Sequence, residues 1–202
     1  MSEYVMPTRP PQEGWDLHCH TVFSDGTRTP REMVQEAKSL GLHGVAIADH
    51  DTTAGWEEAG QASHDLHLPL MRGTEITAQD GNVSVHMLAY LYDPRNRHIC
   101  DLFEKTRRSR VERTKKMVAL LAKDYPISWQ SVLEQTKEGS RTTIGRPHIA
   151  DALVAAGVYA NRNEAFADAV STHSKYYIPT PSPSTSEVVR AVEGAGGVSV
   201  TA

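Results

Sequence analysis

Apolar runs and amphipathic segments alternate along the first half of the chain. The short apolar runs are typical of buried strands, and the longer segments, in which apolar positions recur every three or four residues, are typical of helices. We predict strands at 15–19, 45–48, 69–75 and 83–91, and helices at 30–40 and 53–66. Because strands and helices alternate, this order predicts an α/β fold with a parallel sheet.

The first of these helices carries a start signal in Thr29-Pro30-Arg31-Glu32. Thr29 can cap the free N–H groups, Pro30 suits the first helical position, and Glu32 stands where a capping box requires an acid. The pattern stops at Gly41. The helix is therefore predicted to begin at Pro30.

The second half of the chain loses the strand signals and becomes helical. We predict a long basic helix at 99–122, shorter helices near 128–137, 147–156 and 162–170, a proline- and serine-rich link from 178, a helix at 186–193 and a strand at 198–202. This pattern predicts an α/β domain formed by 14–99 and 178–202, interrupted by a helical insert at 100–177. Because the chain ends inside a predicted strand, we expect the sequence to be a fragment or a truncated gene product.

Composition narrows the class of protein. Of 202 residues, 39% are hydrophobic and 23% are charged, and the formal net charge is −4. This is a soluble globular profile without the basic footprint expected of a protein that binds double-stranded DNA. The polar, proline-rich leader at 1–13 lacks the apolar core of a signal peptide, and no apolar run reaches the length of a membrane span. Two cysteines cannot form a disulfide framework, so a cytoplasmic location is predicted.

Histidine and carboxylate residues gather where the predicted strands end. His18 and His20 are alternate residues of the first strand, so they point to the same side. Asp25 follows in the tight loop Ser24-Asp25-Gly26, and His50 stands among carboxylates after the second strand. Taken singly, such residues are often turn aspartates or packed histidines, so their placement together is the informative feature.

The third and fourth predicted strands add Glu75 and His86, so each of the first four strands contributes a histidine or a glutamate. A cluster of histidine, aspartate and glutamate without thiolate suits manganese, zinc or iron. Cys19 lies between the two histidines of the first strand and is expected to point the opposite way. We therefore predict a metal site formed by His18, His20, Asp25, His50, Glu75 and His86.

The long basic helix provides a second chemical signal. At 100° per residue, Arg110 and Arg113 fall on the apolar stripe of this helix, whereas Lys115 and Lys116 fall outside it. An arginine on an inward face needs an anion, and its planar fork suits phosphate. We predict phosphate contacts from Arg110, Arg113, Arg146 and His148. A helix-cap or packing role is the alternative for the histidine.

These motifs, in this order and spacing, resemble the polymerase-and-histidinol-phosphatase (PHP) family. The resemblance rests on His18-x-His20, Ser24-Asp25-Gly26, Ala48-Asp49-His50-Asp51-Thr52, Gly73-Thr74-Glu75 and His86, and it covers about 14–92 and 186–202. The stretch Gly145-Arg146-Pro147-His148-Ile149-Ala150 and the basic helix resemble the branch that includes nucleoside 3′,5′-bisphosphate phosphatases and a related 5′-to-3′ exoribonuclease.

The resemblance implies a distorted seven-stranded β/α barrel that holds two or three divalent metal ions, with manganese favoured and zinc or iron as alternatives. The ligands implied by position are His18 and His20 for the first ion, Glu75 as a bridge to a second ion that His86 also binds, and Asp25 and His50 for a third. The implied substrate is a phosphorylated nucleotide or the end of a short RNA. We expect direct attack by metal-activated water, because no serine or cysteine nucleophile motif is present.

The chain departs from the family's pattern at its end. The family continues into a His-Pro and later an Asp-x-His, whereas this chain ends at Val198-Ser-Val-Thr-Ala202. Three expected ligands are therefore missing, and at least one metal is expected to be under-coordinated. A barrel of this kind usually needs about 250 residues.

Asp49 and Asp51 are predicted to orient the ligand histidines without binding the metal themselves.

Two other classes of protein stay open. A metal-dependent amidohydrolase also begins with H-x-H on a barrel strand, and activity on amides but not phosphate esters would favour it. The missing ligands favour a non-catalytic metal- or nucleotide-binding module, for which tight nucleotide binding without turnover is expected. No membrane partner is expected, and the oligomeric state stays open.

Overall fold

The computed structural model describes residues 14–81 and 83–202, so the predicted leader at 1–13 lies outside the described residues. The strands form one five-stranded sheet in the order β1 (Trp15–Cys19), β2 (Gly44–Ile47), β3 (Leu70–Asp80), β4 (Val83–Tyr90) and β5 (Val198–Thr201). The described α-helices are α1 (Pro30–Ser39), α2 (Trp56–Leu66), α3 (Arg97–Leu121), α4 (Trp129–Leu133), α5 (Arg146–Ala155), α6 (Arg162–Ala167) and α7 (Thr185–Gly194). The predicted α/β class is confirmed, and each predicted element is present, although several boundaries differ.

The strands do not all run parallel, which corrects the predicted parallel sheet. β1, β2 and β3 pair in parallel, whereas β4 is antiparallel to both β3 and β5. The cause is the short connection between β3 and β4, where Gly81 has a φ of 55°. A tight hairpin can join only antiparallel strands, because a parallel pair needs a long crossover.

The predicted seven-stranded barrel is not what the described residues form. Their sheet has five strands, with β1 at one edge and β5 at the other. A barrel requires its two edge strands to be joined through a continuous ladder of hydrogen bonds. Within 14–81 and 83–202, β1 pairs only with β2 and β5 pairs only with β4, so the sheet is open.

One face of the sheet is buried beneath helices α1, α2 and α7. Val45 and Ile47 of β2 point into this core, while the alternate residue Ala46 belongs to a smaller cluster on the opposite face. The capping box predicted for α1 is confirmed. The N–H of Glu32 donates to Oγ1 of Thr29 at 3.2 Å, and the N–H of Thr29 donates to the Glu32 carboxylate at 2.8 Å.

Helix α3 is 25 residues long and connects two hydrophobic cores. Ile99 and Phe103 near its start pack into the core beneath the sheet, whereas Met117 and Leu121 near its end pack into a second core with α5. The predicted boundary at residue 100 therefore falls within a continuous helix. In the described part of the chain, no helix combines the length and the apolar character needed to cross a membrane.

Candidate metal centre and anion cleft

The six predicted ligands lie together at one end of the sheet. His18 belongs to β1, His50 follows β2 and Glu75 belongs to β3, and these three strands are parallel, so their carboxyl ends share one edge. β4 runs the other way, but His86 pairs with Thr77 of β3 and so lies beside Glu75. The parallel strands and the hairpin together bring the histidines to one place.

Glu75 is the centre of this cluster and is only 4% exposed. Its Oε2 is 2.9 Å from Nε2 of His18 and 3.0 Å from Nε2 of His20, and these two nitrogens are 3.1 Å apart. Its Oε1 contacts Nδ1 of His86. Ligand atoms about 2.1 Å from one ion lie about 3.0 Å apart when they subtend a right angle. Glu75, His18 and His20 therefore have the spacing of neighbouring ligands on one ion.

The cluster contains three groups of ligand atoms, and within each group the atoms lie within 4.8 Å of one another. The groups are His18 with His20 and Glu75, His20 with Asp25 and His50, and His50 with Glu75 and His86. Asp25 bridges the second group, because its Oδ1 is 3.6 Å from Nδ1 of His20 and its Oδ2 is 3.6 Å from Nε2 of His50. Since the groups share members, ions bound there would be close neighbours.

The histidines of the cluster lower the pKa of its two carboxylates, Glu75 and Asp25. Burial alone would raise the pKa of Glu75, but hydrogen bonds with His20 and His86 outweigh burial and hold that pKa far below its usual value. Burial opposes the ionisation of Asp25 in the same way, and the neighbouring His50 and His20 lower its pKa. Both carboxylates are therefore ionised at neutral pH and present negative charge to a cation.

The donor atoms fit a divalent transition metal. Imidazole nitrogens with carboxylate oxygens suit manganese, zinc or iron. Cys19 does not join them, because its side chain packs against the core beneath the sheet and burial raises the pKa of its thiol to about 12. The residues present are therefore a fitting set of ligands for the ions that the resemblance implies.

A tight loop from residue 20 to residue 26 holds Asp25 against the histidines. The buried Asp49 carboxylate accepts hydrogen bonds from the N–H of Thr21 at 2.7 Å, from Oγ1 of Thr21 at 2.5 Å and from Oγ of Ser24 at 2.6 Å. Ser24 Oγ is in turn 3.4 Å from Nδ1 of His20. Asp49 thus reaches the predicted ligand His20 through Ser24.

Asp51, the other aspartate predicted to orient a ligand histidine, contacts an arginine. Its carboxylate is fully buried and lies against Arg110, with Nε of the arginine 2.9 Å from Oδ2. The N–H does not point at this oxygen, so the contact is an ion pair without a hydrogen bond. The same guanidinium donates to Oγ1 of Thr77 at 2.5 Å and lies 3.2 Å from Nδ1 of His50. Asp51 therefore acts on a histidine through an arginine.

A cleft of about 200 Å³ opens beside the metal-ligand cluster. Its lining includes Asp25, His50 and His86 of the cluster together with three arginines, Arg110, Arg113 and Arg146. A larger cavity, of about 1020 Å³, is lined by α3, α4 and the residues that follow His50, and it includes none of the six predicted ligands. The site is therefore identified by the ligands and arginines that line the smaller cleft, and not by the volume of the cavity.

Two of these arginines lack a carboxylate partner among the described residues. Arg113 donates to the carbonyl of Ile178 at 2.5 Å, and Arg146 donates to the carbonyl of Val170 at 3.1 Å. Burial, with the nearby charge of Arg146, lowers the pKa of Arg113 to about 10, and burial also lowers the pKa of Arg146. Both stay cationic at neutral pH, so the cleft concentrates positive charge that an anion would neutralise.

His148, the fourth predicted phosphate contact, lies outside this cleft. Its side chain is buried, and its Nδ1 accepts a hydrogen bond from the N–H of Gly145 at 3.2 Å. It lines a separate small cavity behind the Asp25 loop with Arg162 and Asp151. The geometry corresponds to the helix-cap and packing role, because the imidazole accepts a hydrogen bond from the N-cap residue of α5, and burial lowers its pKa.

Sequence reasoning missed several residues of the cleft, among them Thr77, Phe166 and Tyr177. Thr77 follows Glu75 at the spacing that puts strand side chains on the same face, so a signal for it existed. Phe166 and Tyr177 lie under the guanidinium of Arg146, with ring centroids 5.4 and 5.7 Å from Cζ. No periodic pattern connects them to the site, since they come from the segment that follows α5.

Comparison with known proteins gives a consistent relationship. Residues 16–181 match the PHP domain. The chain is 26% identical over 188 residues to a 5′-3′ exoribonuclease of Haemophilus influenzae, covering 93% of this chain and 68% of that protein. It is 28% identical over 194 residues to a 3′,5′-nucleoside bisphosphate phosphatase of Chromobacterium violaceum, covering 93% and 65%. The chain thus spans about two thirds of the length of these relatives.

Solved structures show the same fold. A candidate metal-dependent phosphoesterase of Bifidobacterium adolescentis is 69% identical, with a TM-score of 0.93 over 96% of this chain and 68% of that one. An amidohydrolase of Chromobacterium violaceum, solved with bound sulfate and no metal, is 28% identical, with a TM-score of 0.84 over 93% of this chain and 66% of that one. Because the match to the domain covers most of the sequence and includes all six clustered histidines and carboxylates, the chain belongs to the PHP domain family.

Proposed function

We propose that this chain carries the catalytic residues of a metal-dependent phosphoesterase that acts on a nucleotide or the end of a short RNA, with a nucleoside 3′,5′-bisphosphate as the favoured substrate. The observation that carries the proposal is the cleft itself, which is lined both by three members of the ligand cluster, Asp25, His50 and His86, and by three arginines. A metal cluster alone would serve many hydrolases, but a metal cluster beside unpaired arginines suits an anionic substrate.

The relatives support both the proposed chemistry, hydrolysis of a phosphate ester, and the proposed substrate, a nucleotide or RNA. One is named as a phosphatase of nucleoside bisphosphates and another as an exoribonuclease, and both of these activities break a phosphate ester. The related structure from Chromobacterium violaceum holds a sulfate ion, which has the charge and shape of a phosphate group. This agreement favours a phosphate ester as the substrate class.

Two or three divalent ions are the proposed cofactors, with manganese favoured and zinc or iron as alternatives. His18, His20 and Glu75 would hold one ion, His50, Glu75 and His86 a second, and His20, Asp25 and His50 a third. When bound, such ions lower the pKa of water and neutralise charge on the phosphoryl oxygens. Tyr177 and Phe166 offer flat surfaces beside the arginines, where a nucleobase could stack.

The residues of the chain would divide the remaining work by position. Arg110 lies closest to the ligand cluster, 3.2 Å from His50, and would bind and orient the phosphate that reacts. Arg113 and Arg146 lie with the aromatic rings Tyr177 and Phe166, and would bind a part of the substrate that does not react. The buried Asp51 would keep Arg110 in place through its ion pair.

A phosphate-release assay tests the proposal. Protein loaded with Mn²⁺ is expected to release inorganic phosphate from a nucleoside 3′,5′-bisphosphate, and both chelation and His50→Ala are expected to abolish the release. The matched control is His64→Ala, because the His64 side chain is 84% exposed. Absence of turnover on every phosphate ester, with metal bound, would overturn the proposal and favour a binding module.

The fold of the structural relative named as an amidohydrolase supports a second candidate. The same ligand cluster could activate water against an amide carbonyl, since metal polarisation serves both chemistries. Arg113 and Arg146 argue against it, because they have no carboxylate partner among the described residues and a neutral amide gives them no counter-charge. Turnover of N-acyl amino acids without turnover of phosphate esters would establish this alternative.

A further inference from the structure

The loop that carries Asp25 is held from outside by residues of the helical segment that follows α3. The carbonyl oxygens of this loop accept hydrogen bonds from side chains or backbone of that segment. The donors are Oγ1 of Thr142 to Val22 at 3.0 Å, the N–H of Thr143 to Phe23 at 2.8 Å, Nη1 of Arg162 to Asp25 at 2.9 Å and Nζ of Lys137 to Thr27 at 2.7 Å. The loop is therefore held at Val22, Phe23 and Asp25, and at Thr27 directly after it.

Among these donors, Arg162 is the one that contacts Asp25, the proposed metal ligand. Its Nε and Nη2 donate to the two carboxylate oxygens of Asp151, each at 2.5 Å, and its remaining nitrogen, Nη1, donates to the carbonyl of Asp25. A bidentate pair fixes the plane of a guanidinium group. All three nitrogens are thus committed, and Asp25 is held by a group that cannot rotate freely.

From this geometry we infer that Arg162 is a positioning residue for the metal group formed by His20, Asp25 and His50. The inference rests on the proposed function, because it assumes that this group binds an ion. Asp25 is the only member of the group that lies on a loop and not beside a strand end, so its place depends on what holds the loop. The other two groups do not include Asp25 and are expected not to depend on Arg162.

The ion pair also joins the anion cleft to this metal group. Asp151 lies on α5, the helix whose first residue, Arg146, lines the cleft. Arg162 begins α6, and Phe166 on the same helix stacks under Arg146. The helices that would contact the substrate are therefore the same helices that hold Asp25. One rigid connection serves both halves of the site.

Mn²⁺ titration of the full chain tests this inference. We expect Arg162→Met to weaken one binding step by at least about tenfold, the scale found when a partner behind a ligand is removed, while the other steps keep their affinities. Isothermal titration calorimetry gives the affinities, and elemental analysis after dialysis gives the number of ions retained. The matched control is Arg31→Met, which breaks an exposed pair with Asp65 that also has a 2.5 Å contact.

Each outcome separates the two hypotheses. Wild-type protein that binds no Mn²⁺ would overturn the proposed function, and this inference with it. Wild-type binding with unchanged affinities in Arg162→Met would overturn only this inference, as would a uniform weakening of all steps, which indicates general loss of structure. If Arg162→Met does not fold, Asp151→Asn replaces it, and the same single step must weaken, since the guanidinium is then held on one side only.

Discussion

Arg110 and Asp51 form a buried ion pair that links the long helix α3 to the end of β2. Nε of the arginine is 2.9 Å from Oδ2 of the aspartate, and the two side chains are 13% and 0% exposed. Burial raises the pKa of Asp51, and the charge of Arg110 opposes that rise. The aspartate immediately follows His50, and the pair places a guanidinium beside this proposed metal ligand.

Removal of Arg110 is expected to destabilise the fold. Arg110→Ala leaves the Asp51 carboxylate buried without a counter-ion, and breaking a buried pair from one side costs about 3 kcal/mol or more. In the double variant with Asp51→Asn, much of that cost disappears because no buried charge is left alone. Urea denaturation of the wild type, both single variants and the double variant measures the coupling free energy.

Additivity would contradict this prediction. If the two single changes in the free energy of unfolding sum to that of the double variant, the ion pair contributes nothing. Arg113→Ala serves as the comparison, because Arg113 is also buried but has no carboxylate within ion-pair distance among the described residues. It is expected to cost less than Arg110→Ala.

The unpaired arginines of the cleft are expected to control anion affinity. Arg113→Ala and Arg146→Ala should each weaken the binding of a nucleoside bisphosphate by about 1–3 kcal/mol, the scale of a hydrogen bond to a charged group. Lys116→Ala should change it by only a few tenths of a kcal/mol, because Lys116 is exposed on another face of α3. Calorimetric titration with unaltered melting temperature is the measurement, and equal effects from all three variants would indicate a diffuse charged surface.

The strand ends could be predicted because their signals are local. The period of two in His18-Cys19-His20, the apolar run before Asp49 and the capping box at Thr29 each depend on neighbours in sequence. The helical stripe of Arg110 and Arg113 depends on the period of one helix, and the structure places both side chains in the cleft. Local periodicity thus indicated which residues share a face.

The rest depends on contacts that have no local signal. The direction of β4 follows from its two-residue connection to β3, which includes Gly81. The hydrophobic pattern of the two strands does not indicate whether they pair in parallel or antiparallel. The bidentate pair between Asp151 and Arg162 joins two helices, and its contact with Asp25 spans most of the chain. His148 lies in a motif that favoured a phosphate contact, yet it packs outside the cleft and accepts a hydrogen bond from the N–H of Gly145. Tertiary packing decided these positions.

Metal ions are expected to stabilise the protein through His18 of β1 and His20, which follows that strand. A ligand that binds only the folded state at about 100 times its Kd adds about 2.7 kcal/mol of stability. Wild-type protein should therefore melt at a higher temperature with Mn²⁺ than with a chelator. In the double variant His18→Ala, His20→Ala this increase should shrink, because one ligand group loses both histidines and a second group loses His20. An undiminished increase, with full metal occupancy, would show that the ions bind elsewhere.

Gly26 is expected to tolerate no side chain, because the loop folds back on the end of β1. A Cβ at this position would meet the carbonyl oxygen of His20 far inside contact distance, with the N–H of Thr21 also too close. The obstacle is backbone, which cannot turn aside as a flexible side chain can. Gly26→Ala should therefore lower the free energy of unfolding by about 2 kcal/mol, a scale typical of strained backbone, and should move Asp25 away from His20. Gly194→Ala is the matched control, since a Cβ there meets no atom within 4 Å and alanine favours a helix. Urea denaturation and Mn²⁺ titration of both variants are the measurements. If Gly26→Ala matched the wild type in both, the loop would be adaptable, and the place of Asp25 would depend on the contacts made by Arg162 and Asp49 alone.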